Sequence, residues 1–391
     1  MKISSMKING YKNLISCEYI LEDFNILIGA NNSGKSNLLE VFSFLNVILT
    51  GSEDLKERLL NKGELDNDKI LSHCKNFNDK AISLEIEFYD EIYEEVYKYS
   101  YFMEIMTGMD VSDNGYVNRE IFKYKKMSST GPMSTAFERE NTTVRKVKGT
   151  KIQKIDGSEA LVSLISKIKD IKDSFDKPIQ KGIDDIFLLC KIPVLYSSPD
   201  VIRESVRKQN PVIKNGRIVS LALIEEIDKI LKSDKAQYYN EILRDALDIS
   251  SIKVNNIAPD LKSLIFKFSN GQENDINELS DGTLIVVNIL TYLISNKYPI
   301  IAIEELENSI HPKLLKKMIN LIKNDFYNIQ VIITTHSPVL LNMVKVDEVS
   351  IISTKECGQA FIEQVKNKKE LIKKLSGPFS SFSDILLYTE E

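Results

Sequence analysis

The stretch Gly29-Ala30-Asn31-Asn32-Ser33-Gly34-Lys35-Ser36 limits most sharply what this chain can become. It fits G-x-x-x-x-G-K-[ST] at every fixed position. Phe24–Ile28 (FNILI) before it is a short apolar run with strand character. After Gly34, residues Leu38, Leu39, Val41, Phe42, Leu45 and Ile48 recur at helical spacing. A strand, a glycine-bounded loop and a helix are the context that a phosphate-binding loop needs. Gly29 and Gly34 let the backbone curl until successive N–H groups face one centre, and the following helix presents its positive end to the same anion. Lys35 supplies a point charge for the β/γ-phosphates, and the Ser36 hydroxyl is placed to ligate Mg²⁺. The expected nucleotide-binding set is Gly29, Asn31, Asn32, Ser33, Gly34, Lys35, Ser36 and Asn37.

A second cluster of chemistry lies far along the chain. Pro299-Ile300-Ile301-Ala302-Ile303-Glu304-Glu305 is an apolar run ending in two carboxylates, as expected of a buried parallel strand delivering them at its C-terminal edge. Adjacent side chains of an extended chain point in different directions, so one acid can face a metal and the other a water. Leu279-Ser280-Asp281-Gly282-Thr283-Leu284 opens an apolar helix that Ser280 can cap, and Gly282 permits close approach of another group. Thr334-Thr335-His336-Ser337-Pro338 follows the strand Val331–Ile333. A histidine there can reach a γ-phosphate, although a lone histidine at a strand tip is more often a satisfied structural residue.

Between these motifs, residues 81–126 are rich in alternating Ile, Tyr, Phe and Val and predict an antiparallel meander. Residues 51–80 predict an inserted loop or short helices, and 127–150 a loop. Helical stretches are expected around 157–190 and 219–247, separated by a Pro-containing region. From 263 onward strands and helices alternate.

The four motifs in this order, GANNSGKS, LSDGTL, IAIEELENSIHP and TTHSP, resemble the ABC-type ATPase heads of the RecF/SMC/OLD group, most closely the OLD-like bacterial ATPases, many of which serve in anti-phage defence. The resemblance covers roughly residues 1–50 and 250–355. It implies an α/β P-loop ATPase head, a mixed sheet flanked by helices plus the antiparallel meander, with an inserted, mainly helical subdomain. The corresponding division is 1–150, 151–250 and 251–391. It implies ATP and Mg²⁺ as cofactors, Lys35 and Ser36 at the phosphates and metal, and Glu304 as the metal-side acid. Glu305 would be the base, His336 the switch histidine, and Ser280 and Gly282 the signature donating to ATP on a second protomer. Glu307–His311 would cross the dimer interface. Most ABC ATPases carry Asp where Glu304 stands, and Tyr11 and Asn13 are candidates to line the base or ribose.

Composition decides among the uses of such a head. With 51 Lys+Arg against 56 Asp+Glu, the net charge of -5 excludes a generally basic nucleic-acid-coating protein. No apolar run approaches the ~20 residues of a membrane span. The scattered cysteines Cys17, Cys74, Cys190 and Cys357 favour a reducing cytoplasm. No arginine follows Arg244, so an arginine finger cannot come from the part holding the signature and acids. The ABC scheme needs none, because Ser280, neighbouring N–H groups and the helix end supply the positive potential. The 55 residues after His336 are fewer than a Toprim nuclease domain needs. The expectation is therefore a homodimer or higher homo-oligomer gating a separately encoded effector, a nuclease or toxin. The alternatives are a RecF-like ATPase binding DNA directly and a non-hydrolysing scaffold.

Overall fold

A computed structural model of the chain describes residues 1–50, 81–106, 116–147, 154, 160–189, 192–196, 198–208, 212–214, 217–220, 223–258, 261–355 and 357–365. The expectations for 51–80 and for the tail from 366 lie outside the described residues. The chain forms two compact units, with a boundary at Ile192/Pro193 in the middle region.

The first unit holds Met1–Glu22, Gly29–Ile192 and Ser350–Gln364. Its antiparallel sheet runs in the order Cys17–Ile20, Lys2–Asn9, Ala81–Ile92, Glu95–Met106, Tyr116–Lys126, Ser134–Glu140, Thr143–Val147. Register explains the alternation seen in the sequence. Met6, Ile86, Tyr101, Phe122 and Phe137 stand opposite one another across five strands, and all are buried. The meander continues past 126, because the Ser-Ser-Thr-Gly-Pro run is only a turn and Phe137 returns to the apolar row. Phe88, Tyr99 and Phe122 stack at centroid distances of 5.0 and 5.8 Å. The helix Lys177–Leu189 comes so close to these rings that a Cβ on Gly182 would sit 2.6 Å from both Phe122 and Tyr99. Buried Glu120 anchors the start of the helix Leu161–Lys167, accepting from the N–H groups of Leu161 (2.6 Å) and Val162 (2.9 Å).

The second unit comprises, among the described residues, Asp23–Ile28, Pro193–Val349 and Val365. Its parallel strands lie in the order Phe24–Ile28, Gln330–Thr335, Ile300–Glu304, Val194–Tyr196. Val194–Tyr196 falls in the stretch that sequence predicts as a connection. Three residues carry too little periodicity to be recognised, and it is the pairing with Ala302–Glu304 that makes them a strand. The helix Asp281–Ser295 is buried on nearly every side, which its run Leu284–Val287 requires. Its C-terminal carbonyls, of Ile294 and Ser295, both accept from Lys235 at 3.0 Å. Among the described residues no helix is long and apolar enough to cross a membrane.

Candidate functional site

The glycine loop is shaped by contacts that leave no room for side chains. A Cβ on Gly29 would lie 2.3 Å from the Ile352 carbonyl oxygen and 2.5 Å from Ser33 Oγ. Gly34 adopts φ +110°, and its Cβ would lie 2.9 Å from Asn13 Oδ1. Asn32 adds a left-handed residue at φ 64°. These positions curl the backbone before the helix Lys35–Thr50 begins. The Lys35 ammonium, on a residue only 7% exposed, folds back over the loop and donates to the carbonyls of Gly29 (2.7 Å) and Ala30 (2.9 Å). Ser33 is buried and its Oγ has no hydrogen-bond partner among the described residues. A Cβ-free cradle, a cation over it and an unsatisfied hydroxyl within it fit a polyphosphate.

Asn31, Asn32 and Ser36 are exposed on this loop. Asn37 instead turns to Asn13, donating to its Oδ1 at 2.8 Å. Asn13 in turn donates to the Ser33 carbonyl at 3.3 Å and accepts at its own carbonyl from Ala360 N–H at 2.8 Å. Asn13 therefore braces the loop. Tyr11 is buried against Phe44, 5.1 Å between ring centres, and its ring is not open to a base or ribose. Nothing in the spacing of residues 13 and 33 signals this brace; it exists because the first turn of the chain is folded under the loop.

In the second unit the parallel strands end in line. Ile28, after which the glycine loop starts, is in register with Thr335; Leu27, Thr334, Glu304 and Tyr196 form the row before it. Thr334 is fully buried, and its Oγ1 has no partner among the described residues. A buried orphan hydroxyl directly beside Glu304 suits a site that takes up a hydrated cation. The chain then breaks from the strand at Glu305, which has φ 52°, a left-handed conformation costing ~1 kcal/mol or more for a residue with a Cβ. The bond from Glu305 N–H to the Thr334 carbonyl, 2.9 Å, holds this break.

Side chains around Glu305 form a connected set. Its Oε2 accepts from Asn308 Nδ2 at 2.6 Å, and its Oε1 stands 3.4 Å from Nδ1 of the half-exposed His336. The Glu307 carboxylate, 9% exposed, points inward, accepting from Thr335 Oγ1 at 2.6 Å and His336 N–H at 3.2 Å. The resemblance placed Glu307 on an interface-crossing loop; the fold uses it to hold the histidine segment from inside. Ser309, at φ 61°, presses its carbonyl against the signature glycine, where a Cβ on Gly282 would lie 2.3 Å away. Ser280 caps its helix, Oγ accepting from Thr283 N–H at 3.3 Å. His311 likewise caps the helix Pro312–Asp325 through Nδ1. The structure thus brings Ser280, Gly282, Glu304, Glu305 and His336 into one unit and adds Glu307, Asn308 and Thr334. Only the short spacing from Glu305 to Asn308 hinted at these in sequence.

A family model described as "AAA domain, putative AbiEii toxin, Type IV TA system" matches residues 24–129 and 163–342. The "Retron Vc95 probable ATPase" of Vibrio cholerae serotype O1 biovar El Tor is 23% identical over 400 residues, spanning 90% of this chain and 74% of that protein. "Septu protein PtuA" of Bacillus mycoides (strain KBAB4) is 24% identical over 149 residues, 36% of this chain but only 19% of that protein. Among solved structures, an SMC head bound to the C-winged helix domain of ScpA aligns with a TM-score of 0.56 at 16% identity, covering 95% of this chain and 99% of that one. The fold is that of an SMC-like ATPase head.

Proposed function

This chain belongs to the AAA-domain family matched over residues 24–129 and 163–342, and from that premise we propose that it binds ATP with Mg²⁺ and hydrolyses it in a head-to-head dimer. As an ATPase of the AAA/ABC type it has a definite division of labour. Lys35 neutralises the β/γ-phosphates inside the glycine cradle, and the helix end after Gly34 adds its dipole. Ser36 of the first unit and Glu304 of the second are each a candidate ligand for the Mg²⁺ that accompanies the nucleotide, as the resemblance implies. Glu305 orients and deprotonates the attacking water, and His336 faces the same carboxylate. Ser280 and the first turn of its helix donate to the γ-phosphate of the second protomer's ATP.

The observation that carries this reading is the setting of Glu305. A strained, half-exposed carboxylate is held from one side by Asn308 at 2.6 Å and faced by His336 at 3.4 Å, beside the strand end from which the glycine loop departs. Structural carboxylates are rarely kept in a left-handed turn with one oxygen turned to a histidine. Kinship with a retron ATPase and a Septu protein supports a role in anti-phage defence, with ATP state in the cytoplasm gating a separate nuclease or toxin. The direct-DNA reading gains little: of the lysines at 123–126, Lys126 is paired with Glu95 at 2.8 Å, and neighbouring Lys98 with Glu87 at 2.9 Å. Such pairing favours a solvated face at this stretch; residues 148–153 of the other lysine-rich stretch, 144–154, lie outside the described residues.

Glu305→Gln tests the reading. Loss of a general base costs roughly 10²–10⁴ in turnover, so the variant retains ATP binding, accumulates ATP-bound dimers and hydrolyses at least 100-fold more slowly. Wild-type turnover in E305Q would remove Glu305 from its role. A wild-type protein that never binds ATP would remove the reading altogether.

A further inference from the structure

The sequence bars an arginine from everything after residue 244, yet the fold delivers one to the signature turn. Arg203, on the helix Pro199–Lys208, donates through Nη1 to Asp281 Oδ1 at 2.8 Å and through Nη2 to the Leu279 carbonyl at 3.0 Å. These two acceptors flank Ser280 on either side. The Arg203 side chain is 17% exposed, while Asp281 is about half exposed, so the clamp is largely shielded and the turn keeps an open face. We propose that Arg203 is a positioning residue for the signature motif: it fixes Leu279–Asp281 so that Ser280 and the helix end are preset for the γ-phosphate of a second protomer's ATP.

Three features carry the inference. First, Leu279 and Asp281 are the only residues joined to Ser280 by peptide bonds, and each is tied to the same rigid planar group. A lysine would meet these acceptors as a flexible point donor, whereas the planar guanidinium fixes the direction of both bonds at once. Second, among the described residues the Ser280 side chain bonds only locally, through Thr283 N–H at 3.3 Å and Thr283 Oγ1 at 2.8 Å. Its own contacts therefore do not anchor the turn to the rest of the unit. Third, the Arg203 helix follows the strand Val194–Tyr196, whose Tyr196 is in register with Glu304. One short segment thus ties the signature turn to the strand end carrying the acids. This connection gives a reason for the added parallel strand, which the motifs do not require.

The inference rests on the proposed ATP-dependent dimer, and its test separates the two. In an E305Q background, ATP-dependent dimerisation is measured by sedimentation velocity, and ATP binding to the monomer by a fluorescent ATP analogue. Arg203→Ala is expected to weaken the ATP-dependent dimer at least tenfold while analogue affinity stays within twofold, because Lys35 and its loop are unaltered. Arg203→Lys should fall between, and Asp281→Asn, which spares the bond to Leu279, should be the mildest. In the E305 protein, Arg203→Ala should lower kcat with KM for ATP unchanged. If R203A melts too early to be used, R203K and D281N decide by the same ranking. An ATP-dependent dimer of undiminished strength in R203A, or in R203K where R203A cannot be used, overturns the role of Arg203 and leaves the dimer standing. No ATP-dependent dimer with Arg203 intact overturns the dimer reading, and the role of Arg203 with it.

Discussion

Replacing Gly282 by alanine isolates the contact between the signature helix and the loop after the acids. The added Cβ would lie 2.3 Å from the Ser309 carbonyl oxygen, whereas ordinary contact begins at 3.4 Å, so the two backbones must separate by about 1.1 Å. The neighbour is backbone, held at φ 61° and one residue from Asn308, and it cannot swing aside like a side-chain tip. Overpacking of this kind costs ~1–3 kcal/mol. Alanine returns roughly 0.5–1 kcal/mol through helix propensity, since Gly282 has no positive φ to lose. The clash wins over nearly all of that range, leaving a net loss of up to roughly 2.5 kcal/mol and a melting temperature up to about 10 °C lower for a unit of this size. Turnover should suffer more. The displaced Ser309 drags Asn308, whose 2.6 Å bond fixes the Glu305 carboxylate, and a misplacement of ~1 Å at a reacting group costs up to ~10²-fold. Calorimetry and steady-state ATP hydrolysis on G282A measure both. Unchanged melting and turnover would refute the close approach. Lowered melting with intact turnover would refute its connection to Glu305.

Two further outcomes are accessible with simple assays. Lys35→Ala removes the charge-assisted donor of the glycine cradle, worth ~1.5–3 kcal/mol, and should weaken ATP binding roughly 10- to 150-fold by titration calorimetry with the fold intact. In the first unit, Lys181 bridges the carboxylates of Asp90 and buried Asp185, and burial followed by the neighbouring Asp90 charge pushes Asp185 up to about 7. A carboxyl raised in the folded state binds its proton more tightly there than when unfolded, so this group's contribution to stability falls as pH rises from about 4 through about 7. Asp185→Asn should therefore flatten the urea-derived stability profile across that window; a wild-type slope in D185N would show that the proton sits elsewhere.

Much of the second unit was legible because its signals are local. Ile300–Glu304 reads as a buried strand from four consecutive apolar residues, and the Ser280 cap is visible from its position before an apolar run. The glycine loop is legible because its fixed positions fall within eight consecutive residues, although what crowds Gly29 and Gly34, the Ile352 carbonyl and the Asn13 side chain, comes from elsewhere in the chain. The strands Ser134–Glu140 and Thr143–Val147 are not, since Phe137 is paired with Phe122, 15 residues away, and buried Arg139 donates to Val117, 22 residues away. Neither is the inward turn of Glu307, whose partners Thr335 and His336 arrive from the next strand.

The sequence by itself determined the chemical parts: a glycine-bounded loop opening a helix, two adjacent acids at a strand end, a helix capped by Ser280 and a histidine at a strand tip. Each is encoded by residue type within a few positions, where backbone geometry and side-chain reach are nearly fixed. Tertiary structure alone decided how those parts are held. Asn13 under the glycine loop, Glu307 behind His336, Ser309 against Gly282 and Arg203 astride Ser280 join residues 20 to 78 positions apart. Such pairings depend on which strands align and which helices approach, and these follow from burial of the whole core rather than from any local pattern. Arginine shows the difference most plainly: its absence after residue 244 is a fact of sequence, and its presence at the signature turn is a fact of the fold.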